Sequence, residues 1–183
     1  MPKKMLILRG NSGAHSDESG KSHDYKWGAL HEKSAKEYAR RMGYEGVVLD
    51  VSGDPAAKGN RSHSRQTVLA LQAIKKDAEI VALYGFSGGS YNVWWILRAL
   101  KDDKDILKRL ERVVVLGLDK SDSKQSDFDA AIFNDKDIHW DLIYRNDPPG
   151  TDKLVPKGAE AHMFGPERLL EDTPDPAAKG KGP

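Results

Sequence analysis

The sequence predicts an α/β fold, a single three-layer α/β/α domain whose core is a five-stranded, mostly parallel sheet. Short apolar runs rich in β-branched residues and leucine recur about every 30 residues, each bounded by Gly, Asp or Asn, which is typical of buried parallel strands. Segments with helical spacing of apolar residues lie between them. This alternation implies right-handed crossovers with helices on both faces, and we expect the strand order 2-1-3-4-5, numbered along the chain.

The predicted strands are the apolar segments at residues 5–9, 46–51, 79–84, 112–118 and 138–145. Helices are predicted over residues 30–42, 68–74, 90–100, 104–110, 126–132 and 167–171. Gly43 stands where a helix C-terminus favours the left-handed conformation, so the first helix should end there. The third helix is apolar nearly all round, which indicates burial on several sides. Three polar segments fit no regular structure, at residues 11–28, 52–62 and 173–183.

Size and charge restrict the class of protein. A chain of 183 residues corresponds to one domain, which we place at residues 1–172, followed by a disordered tail at residues 173–183. With 29 Lys and Arg against 28 Asp and Glu, the net charge of +1 argues against nucleic acid as a partner. The absence of cysteine excludes disulfides and cysteine-built zinc sites. No apolar run reaches the roughly 18 residues of a membrane span and the chain does not open on a signal-peptide pattern, so we expect a cytoplasmic protein without a membrane span.

One motif carries a specific chemistry. The third predicted strand leads directly into Gly85-Phe86-Ser87-Gly88-Gly89, a G-x-S-x-G sequence, and the most apolar helix follows it. This is the strand, turn and helix context of a nucleophile elbow. The turn is so sharp that side chains two residues before and after the serine would collide with neighbouring elements, and both positions are glycine. The elbow would expose the Ser87 hydroxyl and direct the Gly88 N–H and the helix N-terminus at an oxyanion.

The order of elements and the elbow resemble the α/β-hydrolase fold superfamily in a reduced form, similar in size to the small cutinase-like esterases that lack a cap domain. The resemblance implies a Ser-His-Asp triad whose members follow along the chain as nucleophile, acid and histidine. Ser87, then Asp147 after the fifth strand, then His162 match this order. Asp152 is an alternative acid, because its surroundings resemble the family's G-x-x-D-x-x-V-P signature with one residue fewer. Asp119, at the end of the fourth predicted strand, is a further alternative.

The predicted base is a histidine near the end of the chain. His162 lies in a loop that leads into the last predicted helix, which resembles the position of the family's histidine. An imidazole suits general-base catalysis because its pKa lies near neutral pH. Other histidines precede Ser87 and would break the family order, although the sequence leaves open whether one of them lies near it in space: His15, His23, His31 and His63.

The oxyanion hole needs a second donor, which in this family comes from the loop after the first of these strands. Arg9-Gly10-Asn11-Ser12-Gly13 occupies that place and resembles the family's His-Gly-x-x-Gly loop, with Arg instead of His. We therefore assign the backbone N–H groups of Asn11 and Gly88 as the oxyanion donors.

Other patterns give weaker signals. Arg61 and Arg65 bracket the predicted start of the second helix and are candidates for binding an anionic group of the substrate, with solvated surface charge as the alternative. Gly20-Lys21-Ser22 resembles the end of a phosphate-binding loop, but the first glycine of that motif is missing and the segment lies well beyond its strand.

The sequence thus predicts a serine hydrolase of the esterase or acyl hydrolase type, acting on a small-molecule ester or acyl substrate. No cofactor is required, and no metal-binding spacing of Asp, Glu or His occurs. The alternative is a non-catalytic α/β-hydrolase-fold binding or scaffold protein with an incomplete triad. The charged outer helices show no leftover apolar stripe for a large obligate interface between subunits.

Overall fold

The computed structural model describes residues 1–10, 14–16, 22–24, 29–51, 63–119, 138–145 and 166–180. Its strands are β1 (Lys4–Leu8), β2 (Ala14–Ser16), β3 (Ser22–Asp24), β4 (Glu45–Val48), β5 (Ile80–Phe86), β6 (Arg112–Asp119) and β7 (His139–Arg145). Its helices are α1 (Ala29–Arg41), α2 (Arg65–Lys76), α3 (Gly88–Leu100), α4 (Lys104–Arg109) and α5 (Pro166–Glu171), followed by a 3₁₀ helix, Pro176–Gly180.

The main sheet has the order β4-β1-β5-β6-β7, and every neighbouring pair in it is parallel. The predicted α/β class with a mostly parallel sheet is therefore confirmed, as is the order of the first four core strands. β4 lies on one side of β1, and β5, the next core strand along the chain, lies on its other side. The strand order therefore reverses between β1 and β5. In open α/β sheets, ligands bind beyond the carboxyl ends of the strands at such a reversal.

Alternating side chains of β1, β5 and β6 enter two cores, one on each face of the sheet. Leu6, Leu83 and Val113 pack with α2, α3 and α4. Met5, Tyr84 and Val114 face the opposite way and pack with α1 and α5. Because both faces of the central strands are covered, their sequences are continuous apolar runs.

Local signals explain where several helices begin and end. Gly43 has a φ of 90°, so its position after α1 is the left-handed one predicted from the sequence. The Ser64 side chain accepts a hydrogen bond from the Thr67 N–H and begins α2, and Asp103 does the same for α4 by accepting from the Ile106 N–H.

A polar cluster fixes β7 to its neighbours at the amino end of the sheet. Arg112 Nη1 lies 2.5 Å from Asp141 Oδ2, and the Tyr38 hydroxyl of α1 donates to the same oxygen at 3.2 Å. Burial and the Asp141 carboxylate raise the pKa of Tyr38 well above its usual value, so its hydroxyl keeps its proton and remains a donor. The cluster thus joins α1, β6 and β7.

The loop predicted at residues 11–28 contains regular structure that sequence reasoning missed. β2 and β3 pair antiparallel as a hairpin, with His15 opposite His23. Each strand is three residues long and polar, so neither shows the apolar alternation by which strands are predicted.

Part of the tail predicted at residues 173–183 makes hydrogen bonds to the helices. Thr173 is buried, its hydroxyl donates to the Leu169 carbonyl, and its own carbonyl accepts from Arg41 Nη1 at 2.7 Å. Asp175 pairs with Arg40 at 3.0 Å. Thr173 and Asp175 are thus joined to α1 and α5 by hydrogen bonds and an ion pair.

Two further predicted segments, the helix over residues 126–132 and the loop over residues 52–62, lie outside the described residues. In the part of the chain that is described, no helix combines the length and the apolar character needed to cross a membrane.

Candidate functional site

Ser87 stands at a sharp turn between β5 and α3, where the strand order reverses. Its φ is 51° and its ψ is −116°, and no other non-glycine residue in the described ranges has a positive φ. A side chain in this region of backbone space costs roughly 1–2 kcal/mol, so the surrounding structure must enforce the conformation. The residue is half-buried, and its hydroxyl does not cap α3.

The two glycines that flank this turn have no room for a side chain. A Cβ on Gly85 would lie 2.7 Å from the carbonyl oxygen of Gly89 and from Val93 Cγ2. A Cβ on Gly89 would lie 2.6 Å from the Leu8 carbonyl oxygen and 2.7 Å from that of Arg9. Most of these neighbours are backbone atoms that cannot move aside. The collisions that the sequence predicts for a side chain at either position are thus present in the structure.

Hydrogen bonds hold the turn to β6. The Ser87 N–H donates to the Leu116 carbonyl at 2.8 Å. Ser90, which is fully buried, places its Oγ 2.6 Å from that same carbonyl oxygen and 2.7 Å from the carbonyl oxygen of Gly85. These bonds connect the end of β5, the turn and the first turn of α3, and they explain how the strained backbone of Ser87 is maintained.

The start of the loop after β1 lies against the turn. A Cβ on Gly10 would stand 3.4 Å from Ser87 Cβ and 3.2 Å from the Phe86 ring. The backbone that leads into Asn11 thus passes beside Ser87. This is the side from which the sequence analysis expected the second oxyanion donor.

Comparison with known proteins adds no relative. No family model, no curated protein and no solved structure matches this chain. The chemistry of the site therefore has to be argued from its own geometry.

A histidine and a carboxylate meet at the same edge of the sheet. His31, in the first turn of α1, places Nδ1 2.9 Å from Oε1 of Glu167, in the first turn of α5. The His31 ring also packs edge-on against Phe86, with ring centroids 5.5 Å apart. Since Phe86 immediately precedes Ser87, the pair lies next to the elbow. His31 is one of the histidines that the sequence leaves open as lying near Ser87, but no local pattern selects it or Glu167.

Arg9 follows β1 and directly precedes Gly10, the residue whose backbone lies beside Ser87. Its guanidinium lies 2.9 Å from the Asp50 carboxylate and 3.6 Å from that of Glu32. These two contacts connect the loop after β1 to the end of β4 and to α1. Because Asp50 is almost fully exposed, we expect its ion pair with Arg9 to add little stability and mainly to position the loop after β1.

A buried pair of amides lies beneath the loop after β1. Gln66 of α2 donates from Nε2 to the carbonyls of Arg9 and Val51, at 3.0 and 2.9 Å. Its Oε1 accepts from Asn92 Nδ2 of α3 at 2.5 Å. Sequence reasoning missed both, although a signal existed. Gln66 is spaced by four from Ala70 on the buried stripe of its helix, and Asn92 is spaced by four from Ile96.

Few of the predicted site residues fall within the described ranges. Ser87 and Gly88 form the turn and the first residue of α3. Arg65 begins α2 and is exposed, and Asp119 ends β6. Five others lie outside the described residues: Asn11, Arg61, Asp147, Asp152 and His162. Within the described ranges, no three His, Asp or Glu side chains come together as a metal site would require.

Proposed function

We propose that this protein is a serine hydrolase that acts on ester or related acyl bonds, with Ser87 as its nucleophile. The observation that carries the proposal is the left-handed backbone of Ser87 at a strand-to-helix turn whose flanking glycines exclude any side chain. A turn needed only for structure would favour glycine at this position, since glycine adopts a positive φ without steric cost. Strain retained at a serine that opens onto a ligand crevice is typical of a nucleophile elbow.

We further propose that the fold is a reduced α/β-hydrolase fold. The parallel sheet, the elbow after the third core strand and the position of this elbow at the β1–β5 crevice all support it. The likeness lies in topology and elbow geometry, which are the features that place the nucleophile.

In the proposed mechanism, Ser87 Oγ attacks the carbonyl carbon of the substrate while His162 accepts the hydroxyl proton. Asp147, or alternatively Asp152, orients the imidazole. The Asn11 and Gly88 N–H groups bind the oxyanion of the tetrahedral intermediate, and each such donor contributes about 3 kcal/mol to the lowering of the barrier. His162 then protonates the leaving group, which departs and leaves an acyl-serine. Water, deprotonated by His162, releases the acid and regenerates Ser87.

The assignment of His162 is supported by the place where α5 begins. Glu167 contacts His31, whose ring packs on Phe86, so the first turn of α5 lies beside the elbow. His162 precedes Pro166 by four residues, and four extended residues span at most about 14 Å. Because so few residues separate His162 from α5, which begins beside the elbow, we take His162 as the base.

The substrate is proposed to be a small ester or acyl compound. Arg65 is exposed in the first turn of α2, and α2 begins at the carboxyl edge of the sheet, as does α3. Together with Arg61 it is proposed to bind an anionic group on the substrate.

A fluorophosphonate probe tests the function, because it phosphonylates activated serines. We expect stoichiometric labelling of the wild-type protein, no labelling of Ser87→Ala, and normal labelling of Ser34→Ala, which alters a buried serine of α1. A folded wild-type protein that resists the probe would favour the non-catalytic scaffold. Equal labelling of Ser87→Ala would show that another residue is the nucleophile.

A further inference from the structure

The peptide between Arg9 and Gly10 is held on both sides. On one side, the Arg9 carbonyl oxygen occupies the space next to Gly89, where a Cβ would come within 2.7 Å of it. On the other side, the same oxygen accepts a hydrogen bond from Gln66 Nε2 at 3.0 Å. One carbonyl thus contacts the elbow and is also bound by a buried side chain of α2.

Gln66 is fully buried, and each of its described hydrogen bonds has a defined donor and a defined acceptor. Both of its donor bonds end on backbone carbonyls, those of Arg9 and Val51, which lie beyond the last paired residues of β1 and β4. Its oxygen accepts from Asn92, which is also fully buried. Turning the amide over would bring its oxygen against two carbonyl oxygens, so the arrangement of donors and acceptor is fixed by its partners.

This arrangement joins the two elements that form the proposed site. Asn92 belongs to α3, the helix that begins directly after Ser87, and Gln66 bonds to the last residues before the loop. A trans peptide is planar, so fixing the Arg9 C=O also fixes the opposite direction of the Gly10 N–H. Gly10 in turn lies against Ser87 and leads into Asn11.

We propose that Gln66, held by Asn92, is a positioning residue for the oxyanion side of the Ser87 site. The proposal rests on the proposed function, since it concerns the same site. Gln66 does not touch the substrate. Its amide sets the orientation of the Arg9–Gly10 peptide against the elbow, and through it the position of the backbone that leads to the oxyanion donor.

The test compares Gln66→Met with Thr67→Val. Methionine keeps the length of the side chain and removes both N–H donors. Thr67 is the next residue of α2, is equally buried and bonds to Ser64 rather than to the loop, so its variant controls for lost stability. We expect Gln66→Met to react with the fluorophosphonate probe at a limiting rate about 10- to 100-fold below wild type, with little change in probe affinity. Thr67→Val should react at nearly the wild-type rate at equal folded fraction.

A second measurement reports position directly. We expect the Gly10 and Asn11 amide signals in an NMR spectrum to shift in Gln66→Met and to remain in place in Thr67→Val. If Gln66→Met does not fold, Gln66→Glu serves instead, since a protonated carboxyl keeps the shape and can donate to only one of the two carbonyls. Its labelling rate should still fall below that of Thr67→Val, and an equal rate would overturn the positioning role.

The outcomes separate the two proposals. If the wild type is labelled and Gln66→Met reacts as fast as Thr67→Val, the positioning role is overturned and the nucleophile stands. If the folded wild type is not labelled, the hydrolase function is overturned, and the positioning role falls with it.

Discussion

His31 and Glu167 join the first turns of two helices that lie far apart in the chain, with Nδ1 and Oε1 2.9 Å apart. The same imidazole packs on Phe86, the residue before the proposed nucleophile. The contact therefore holds the start of α5 next to the elbow. It also places a histidine–carboxylate pair near Ser87, so the proposed base, His162, can be tested against His31.

The first prediction compares the two histidines. We expect His162→Gln to lower the rate of fluorophosphonate labelling by about 10³-fold or more, since it removes the proposed acceptor of the Ser87 proton. His31→Gln should cause a much smaller loss, because it removes only a contact that positions α5. Labelling rates of both variants are measured at equal folded fraction, judged by circular dichroism. A larger loss in His31→Gln would make His31 and Glu167 the base and its orienting acid.

The second prediction concerns the glycines of the elbow. Gly89→Ala should destabilise the fold by about 3 kcal/mol or more, because its Cβ would lie 2.6 Å from the Leu8 carbonyl oxygen. Gly43→Ala is the matched control: it meets nothing within 4 Å, and its cost of about 1 kcal/mol comes from the positive φ alone. Urea unfolding measures both. Equal stabilities of the two variants would show that the close approach at Gly89 is absent.

The third prediction concerns the acid of the triad. Asp147→Asn should lower kcat for a short-chain ester by about 10³- to 10⁴-fold, because the imidazole would lose its orienting partner. Asp152→Asn and Asp119→Asn should lose less. Steady-state kinetics on the three variants decides between them, and a greater loss in Asp152→Asn would transfer the assignment to that residue.

The fourth prediction concerns acid stability. Arg40, and then Arg41, lower the pKa of Glu37 in α1 from 4.5 to about 2. A carboxylate with a lowered native pKa stabilises the fold above its unfolded pKa, and this contribution disappears as the pH falls toward the native pKa. Glu37→Gln should thus be less stable than wild type at neutral pH. The difference should shrink between about pH 4.5 and 2.

Urea unfolding across this pH range measures the effect, with Glu45→Gln, an exposed carboxylate of β4, as the control. A stability difference for Glu37→Gln that stays constant down to pH 2 would contradict the ion pairs with Arg40 and Arg41.

The fifth prediction concerns the C-terminal segment. Removing residues 173–183 should cost about 1 to 3 kcal/mol, because Arg41 and the Leu169 carbonyl lose their hydrogen bonds to Thr173. Removing only residues 181–183 is the control and should leave the melting temperature unchanged. Equal melting temperatures of the two truncated proteins would contradict the packing of this segment on α1.

Most of the architecture could be predicted because the apolar pattern is strong in the central strands. β1, β5 and β6 are buried on both faces, so each is a continuous apolar run. The hairpin of β2 and β3 could not be predicted, since its strands are short and polar and, within the described ranges, pair with each other alone. Ser87 could be singled out because the elbow is encoded within five consecutive residues.

The sequence by itself determined the α/β class, the parallel sheet and the place of the elbow, because these depend on periodicity and on glycines that are neighbours in the chain. Only the tertiary structure brought Gln66 to the Arg9 carbonyl and His31 to Glu167. Arg9 and Gln66 are 57 positions apart in the chain, and His31 and Glu167 are 136 positions apart. No local pattern encodes such pairings. They arise because the crossovers bring segments that are distant in the chain to the same carboxyl edge of the sheet.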